Sequence, residues 1–358
     1  MDVRGISPAD VAAALGLSEG EAWHFAHNIE RFYKPARLQQ IGRKSRLIDA
    51  MTDRAKALLR KLHRLCQRER LYHGAAHGGV RRRSCFTSAV LHLGSRGLWT
   101  RDAKDCFPSV SPSEFCKELR AMGFRHDAAK LLTLLCTVRG RIPQGSPSSN
   151  DALNLFLWRA DENIACVAAH NGCRYGRVAD DFVVSDRRGL RGDEAVQVVE
   201  DELKSRGIKV NKKKRRKAGF QPNSSVQVVH SITVNRRNGT AICDEHADRA
   251  RQLADTFVAA ARSVQASTFE AVACKRRTLV GMMHYSRQAK FGPAKYLFRQ
   301  LRAGDRRVAR KLAKMNITAD KGRWWLVHKK RNEPKRIAAV WRIRLGATTP
   351  PRTGKNHG

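Results

Sequence analysis

Negative charge is scarce in this chain. Asp and Glu number 32 against 70 Lys and Arg in 358 residues, a formal net charge of +38. Such a chain repels itself unless a polyanion compensates. The imbalance points to nucleic acid, bound through phosphate contacts and counterion release. The shortage deepens toward the C-terminus, where the only acids after Arg251 are Asp255, Glu270, Asp305, Asp320 and Glu333. An uninterrupted apolar run of about 18 residues is also missing, which excludes a spanning helix. No dominant helix sets a basic face against a broad apolar one, so a membrane-surface role is not expected. The N-terminus, MDVRGISPADVAAALGLSEG, lacks the basic-then-apolar order of a secretion signal, so a cytoplasmic location is expected. The nine cysteines form no CxxC pair and are odd in number, which argues against a zinc or disulfide framework. Reduced, mostly buried thiols fit that pattern. What is present is an ordinary 42% of apolar residues, enough at this length for two or three packed units.

The element pattern shows no internal repeat and no βαβ rhythm, so an α+β fold is expected rather than a doubly wound one. Residues 7 to 31 read as one or two short helices, started by Ser7-Pro8 and interrupted at Gly16. Residues 33 to 50 alternate around a Gly-Arg-Lys turn and predict a β-hairpin. A basic helix over 53 to 70 sets Ala57, Leu58, Leu62 and Leu65 on one side. A strand ending in a carboxylate, LWTRDAKDCF, precedes helices at about 112–122 and 126–138. RGRIPQGSPSS reads as a loop, followed by a helix over about 151–169. CRYGRVADDFVVS reads as strand, tight turn, strand. A helix is expected at 191–206, with strands at 208–211 and 226–243, the latter holding an NRRNG turn. From 245 to about 316 the pattern is helical, broken near Gly292-Pro293.

In so basic a chain, carboxylates at strand ends stand out. Asp102 lies in TRDAKDCFPSV and the pair Asp180-Asp181 in VADDFVVS. Adjacent Asp residues at a β-turn are ordinary turn chemistry. Here the pair is flanked by apolar strand residues, where like charges are costly and a bound cation relieves the cost. Carboxylates brought together from two strands suit a two-metal phosphoryl-transfer site, with ions about 3.5–4 Å apart. Hard oxygen ligands of this kind suit Mg²⁺.

The same residues carry a family resemblance. GRKSRLIDA (42–50), AHGGVRRRSCFTSAVLHL (76–93), RDAKDCFPSV (101–110), RIPQGSPSSNDALNLFL (141–157), VADDF (178–182), GIKVNKKK (207–214) and VVHSITVN (228–235) occur in the order of the motifs of reverse transcriptases. The chain resembles the bacterial retron and group II intron branch of that family over roughly residues 30 to 300. The resemblance implies a right-hand polymerase: an N-terminal helical extension (1–29), fingers (30–98), a palm with an antiparallel sheet (99–244) carrying a finger insertion (about 119–150), a helical thumb (245–346) and a disordered tail (347–358). It leaves no room for an RNase H, maturase or endonuclease domain.

The resemblance also implies roles. Asp102 and Asp180 are the chief metal ligands, Asp181 the neighbouring acid, and the backbone carbonyl of Ala103 completes the set for two Mg²⁺ ions, with Mn²⁺ as the alternative. Phe107, five residues beyond Asp102, is the steric gate under the incoming sugar. Gln144 and Gly145 line the nucleotide pocket, Arg46 holds the triphosphate, and Lys214 neutralises or protonates the pyrophosphate. Plain structural roles stand beside these: palm core for Phe107, a solvent-facing finger side chain for Arg46, loop formation for Gly145, and any member of KKKRRK in place of Lys214. His92 reads as a structural histidine. In the thumb, Lys275, Arg276, Arg277, Arg306, Arg307, Arg310 and Lys311 suit phosphate contact. Trp324 and Trp325 suit base stacking, and Tyr285 suits the core.

Several positions depart from the family pattern. Val178 stands where the YADD box has Tyr, and Asn150 where a Pro follows PQGxxxS. Ser88 replaces the Asn of the retron NAxxH element, and Val229-His230-Ser231 stands for VTG. The last two changes fall where retron enzymes recognise their own RNA. The expected activity is RNA-templated DNA synthesis from dNTPs, copying a structured noncoding RNA through an RNA/DNA hybrid. An effector protein and a role in phage defence come by analogy. The rivals are a catalytically impaired, polymerase-derived RNA-binding scaffold and a free-standing group II intron-like enzyme.

Overall fold

The computed structural model describes residues 3, 5–41, 44–188, 192–211, 219–235, 239–265, 268–289, 292–314, 317–320, 323–326 and 335–336. Lys214, the centre of the NRRNG turn and the segment 347–358 lie outside the described residues. The chain divides into two units, Met1–Thr240 and Ala241–Gly358.

In the first unit Ser7 caps helix α1 (Pro8–Leu15) in a capping box, with Pro8 at the first helical position and Gly16 closing it at φ 69°. Helix α2 (Glu19–His27) repeats the device with Ser18 and Glu21. The hairpin β1 (Arg37–Ile41) and β2 (Lys44–Ile48) follows as expected. Helix α3 (Asp53–Arg68) buries Ala55, Leu59, Leu62, Leu65 and Cys66. Its apolar face is thus rotated from the expected one: Ala57 is exposed, because the 55-59-62-66 stripe matches the helical period better.

After α4 (Cys85–Leu91) comes the organising strand, β3 (Gly97–Lys104). A short helical turn α5 (Cys106–Ser109) leads to α6 (Pro112–Ala121) and α7 (His126–Cys136). The helix expected over 151–169 is two helices, α8 (Ser149–Phe156) and α9 (Trp158–His170). The bend between them lets the sequence neighbours Phe156 and Leu157 both be fully buried. Strands β4 (Cys173–Val178) and β5 (Asp181–Asp186), helix α10 (Gly192–Ser205), and short strands β6 (Lys209–Val210) and β7 (Phe220–Pro222) follow. The sheet is antiparallel in the order β4-β5-β3-β6, and β7 pairs with β3 on the β6 edge. The long strand expected at 226–243 is broken: β8 (Val228–Val229) and β9 (Ile232–Thr233) form a hairpin around His230 and Ser231. Phe115, Phe156, Phe182 and Leu119 are among the fully buried side chains of this unit's core.

The second unit holds three helices, Asp244–Arg262, Phe269–Gln288 and Ala294–Lys314. Phe257, Leu279, Leu297, Leu301 and Val308 make its core. Gly304 permits the close helix contact, since a Cβ there would lie 2.1 Å from the Phe257 ring. The helical expectation for 245–346 stops at Lys314. Ile317–Asp320, Arg323–Leu326 and Lys335–Arg336 form an antiparallel sheet, in keeping with their β-branched and aromatic residues.

Candidate active site

Strand β3 delivers Asp102 to the point where three strands meet. Its register sets Asp102 opposite Asp181 of β5, and β5 returns from β4 through a two-residue turn at Ala179 and Asp180. Ala179 holds φ 51°, a left-handed conformation that costs a residue with a Cβ about 1–2 kcal/mol. The turn is tied down from two sides. The Ala103 amide donates to the Asp180 carbonyl at 2.9 Å. The Arg177 guanidinium donates to the Ala179 carbonyl at 3.2 Å from below. Gly78 lets the preceding loop lie against it, since a Cβ there would meet the Ala179 nitrogen at 2.5 Å.

Asp102 is 8% exposed. Asn211, just past β6, donates its backbone amide to the Asp102 carbonyl at 2.8 Å and its side-chain amide to Asp102 Oδ2 at 2.9 Å. Asp102, Ala103, Asp180 and Asn211 line one cleft of about 310 Å³. Its other walls are Ser45, Arg46 and Leu47 from β2, Lys104, Asp105, Cys106, Phe107 and Pro108 after Asp102, and Arg141 and Gln144 from the loop before α8. Phe107 is not on the strand itself. Asp105, at φ 48°, turns the chain into α5, and this brings the half-buried Phe107 back to the cleft wall. Burial pushes the Cys106 thiol up to about 12, and Asp180 and Asp102 add to the effect. It is therefore a protonated thiol at neutral pH.

Asp49 joins the β2 end of the cleft to the Gln144 loop. It is fully buried, accepts from Arg141 at 2.8 Å and from the Gln144 amide at 3.1 Å, and its own amide donates to the Gln144 carbonyl at 2.8 Å. Gly145, at φ 122°, lets this contact close: a Cβ there would lie 3.2 Å from the Asp49 carbonyl oxygen.

Of the residues expected at the site, Arg46, Asp102, Ala103, Phe107, Gln144 and Asp180 share the cleft. Asp181 and Gly145 are not among its lining residues. Asp181 instead has His230 Nδ1 at 3.9 Å, and Gly145 serves the loop backbone. In the second unit, Arg276 is not turned outward for phosphate. It makes a two-pronged pair with the buried Asp305, at 2.7 and 2.9 Å. Arg277 is exposed, 3.6 Å from Glu270. Arg306, Arg310 and Lys311 are exposed, while Lys275 and Arg307 are half-buried. Tyr285 is half-buried against His246, and Trp324 and Trp325 sit on the strand Arg323–Leu326. His92 is fully buried with Nδ1 2.7 Å from Ser185 Oγ. Burial, with the neighbouring His230 and His77, pushes its pKa down to about 3.

Sequence reasoning missed Asn211, Asp49, Arg141 and Arg177. Asn211 was within a quoted motif, and Arg177 directly precedes VADD, so both were adjacent to a signal. Asp49 and Arg141 also lie inside quoted motifs, GRKSRLIDA and RIPQGSPSSNDALNLFL, but their pairing with each other spans 92 residues and leaves no local sign.

No group of three His, Cys, Asp or Glu side chains converges among the described residues. The carboxylates lining the cleft are those of Asp102, Asp105 and Asp180, all hard oxygen donors. That set fits Mg²⁺, which takes one or two carboxylates and completes its shell with water and substrate phosphate.

The sequence matches the family described as Reverse transcriptase (RNA-dependent DNA polymerase) over residues 38–232. The chain belongs to the reverse transcriptase family. The matched span holds Asp102, Gln144, Asp180 and Asp181, and thus every strand that builds the cleft. The chain is similar to the retron Mx65 reverse transcriptase of Myxococcus xanthus, 31% identical over 252 residues, which are 64% of this chain and 58% of the relative. It is 33% identical over 174 residues to the retron Mx162 reverse transcriptase of Myxococcus xanthus, covering 41% of this chain and 36% of the relative. The retron Ec86 reverse transcriptase of Escherichia coli is 28% identical over 137 residues, 38% of this chain and 43% of the relative. The chain spans about half the length of the curated relatives it matches. Among the described residues, no helix is long and apolar enough to cross a membrane.

Proposed function

We propose that the chain is an RNA-directed DNA polymerase of the retron type, copying a structured noncoding RNA into DNA by two-metal nucleotidyl transfer. The observation that carries the reading is the meeting of Asp102, from β3, and Asp180, from the β4–β5 turn, in one cleft with Arg46, Phe107 and Gln144. Asp102, Asp180 and the Ala103 carbonyl are the groups to hold Mg²⁺. When bound, the ions lower the pKa of the primer 3′-hydroxyl and neutralise the departing pyrophosphate. The chain's own residues do the rest. Asn211 fixes the rotamer of Asp102 by its 2.9 Å bond. Arg46 and Arg141 supply positive charge for the triphosphate of a dNTP. Phe107 closes the space that a ribose 2′-hydroxyl needs. The 3′-oxygen attacks the α-phosphorus, the bond to the bridging oxygen breaks, and pyrophosphate leaves with its negative charge met by these cations.

In this reading, the finger, palm and thumb assignments follow the family pattern, and the exposed Arg306, Arg310 and Lys311 contact the RNA/DNA hybrid. An effector protein partner and a role in phage defence belong to the same proposal. The scaffold reading is weaker, since neither metal-site carboxylate nor Gln144 is lost. The test is extension of oligo(dT) on poly(rA) by the purified chain with Mg²⁺, with Asp180→Asn as control. DNA synthesis that disappears in the variant while RNA binding persists supports the reading. Absence of synthesis by the wild type under Mg²⁺ or Mn²⁺ supports the scaffold instead.

A further inference from the structure

A second concave surface, of about 990 Å³, shares no lining residue with the cleft. Helix α3 forms one side and the segment 79–81 the other. Lys61, Arg64 and Arg68 recur along one stripe of α3, and Arg81 joins them from the facing segment. The stripe is about 10 Å long at 1.5 Å per residue. Among the described residues no Asp or Glu lines the groove. Two acids outside the lining are held by its side chains: Glu69, by Arg68, and Asp151, which is buried and already accepts from His63 at 2.8 Å and Gln67 at 3.0 Å. Gln67 also donates to the Gly79 carbonyl at 3.1 Å and accepts from the Arg81 amide at 2.7 Å. One side chain thus pins the facing segment to the helix, and the groove is formed before any ligand arrives. Lys61 donates to the Leu15 carbonyl at 2.6 Å and so also supports the groove wall. Arg68 shares its Nε–H with the exposed Glu69 at 2.6 Å.

The cations identify a polyanion, and the rest of the lining narrows it. No Phe, Tyr or Trp ring lines the groove among the described residues. Single strands are gripped by stacking bases on such rings, whereas base-paired RNA is held through its phosphates and shape. A stripe of about 10 Å is long enough to follow a few successive phosphates of one strand, which advance about 3.4 Å each along a duplex axis. We infer that this groove binds a base-paired segment of the RNA partner through its phosphate backbone, separately from the primer and template in the cleft. The inference rests on the RNA-copying reading for the identity of the partner.

The test uses the full chain with Arg64→Gln, Arg68→Gln and Arg81→Gln combined. All three side chains are exposed. Affinity for an RNA hairpin and for single-stranded oligo(rA) is measured by fluorescence anisotropy across salt concentrations. Each lost phosphate contact flattens the slope of log K against log salt by about 0.7–0.9. At about 0.15 M salt that is four- to fivefold per contact relative to 1 M, so the triple variant loses roughly 10²-fold for the hairpin. Oligo(rA) affinity and extension of a short oligo(dT)/oligo(rA) pair stay near wild type. The triple Lys variant of the same positions keeps the hairpin slope, which separates lost charge from lost folding. An unchanged hairpin slope in the Gln variant overturns the inference. Equal losses for hairpin and oligo(rA) also overturn it, since they mark unselective basic surface. Should the wild type extend no primer while the hairpin loss is seen, the polymerase reading fails and the groove stands.

Discussion

In Arg177→Met the Asp161 carboxylate would lose its partner while staying fully buried. Arg177 and Asp161 are both 0% exposed. The guanidinium donates to Asp161 at 2.7, 3.0 and 2.7 Å, and Tyr175 adds a hydroxyl at 2.7 Å. Burial alone would lower the Arg177 pKa, but the Asp161 charge and hydrogen bonds more than offset it, so the side chain stays a cation. Removing one member of such a pair costs about 3–5 kcal/mol, because the other charge is left buried alone. A domain's whole stability is about 5–15 kcal/mol, so Arg177→Met is expected to lower the melting temperature sharply or prevent folding.

Arg177→Lys isolates the catalytic consequence. It keeps the charge but cannot span Asp161, Asn154 and the Ala179 carbonyl at once, as the planar fork does at 3.0 Å and 3.2 Å for the last two. The loss is about 1–3 kcal/mol, which leaves a folded protein. The strained turn at Ala179 then loses this tie from the guanidinium, and Asp180 relaxes from its place in the cleft. A displacement of about 1 Å at reacting groups costs on the order of 10²-fold. Single-turnover primer extension should therefore slow by roughly 10- to 10²-fold. The Mg²⁺ concentration for half-maximal rate should rise, with RNA affinity and KM for dNTP little changed. A folded Arg177→Lys protein with wild-type rate and wild-type Mg²⁺ dependence would refute the argument that the buried guanidinium positions the turn.

Asp102→Asn and Asp180→Asn should each abolish extension and keep RNA affinity, measured by primer extension and filter binding; near-normal synthesis by either would sink the metal-site assignment. Phe107→Ala should admit rNTPs while reducing dNTP use, read as the ratio of kcat/KM values; an unchanged ratio in a folded variant returns Phe107 to the core. The pH dependence of stability follows from His92 and His77, which burial lowers from 6.5 to about 3 and about 4. The unfolded chain binds their protons more tightly, so their contribution is complete above about pH 6.5 and declines as the pH falls toward the folded values. Urea unfolding at pH 7.5, 6.5 and 5.5 should show the decline and His92→Gln should flatten it; a wild-type profile no steeper than that of the variant contradicts the assignment.

The site's carboxylates were legible because each is a local exception: an acid in a basic chain, at the end of an apolar strand. Helix starts were legible for the same reason, as Ser7-Pro8 and Gly16 act within one turn of themselves. The face of α3 was read correctly at Leu62 and Leu65 but not at Ala57, and 151–169 was read as one helix, because both depend on what the helices pack against. The strands after Lys314 were missed under a basic composition that also suits helix. Asp49, Arg141 and Arg177 lay in or beside quoted motifs, yet their supporting role was not legible: Asp49 and Arg141 pair across 92 residues, and a charged residue in a strand, such as Arg177, gives no sign of being buried.

Two departures from the retron pattern that are separate in sequence form one contact in the fold. Ser88, standing for the Asn of the retron element, is fully buried, and its Oγ lies 3.2 Å from His230 Nε2. His230 is the first residue of the turn between β8 and β9, where it and Ser231 take φ values of 50° and 66°. Positive φ at both central residues is the hairpin geometry that favours Asn and Gly, and each residue with a Cβ there costs about 1–2 kcal/mol. The bond to Ser88 and the 3.9 Å approach to Asp181 offset that cost. A larger Asn at 88 would crowd the imidazole, and a small residue at 230 would leave the buried Ser88 hydroxyl without this partner. The two changes therefore belong together, and they bear on the carboxylate turn through Asp181. One histidine thus links the α4 segment, the β8–β9 turn and the start of β5 next to the carboxylate turn.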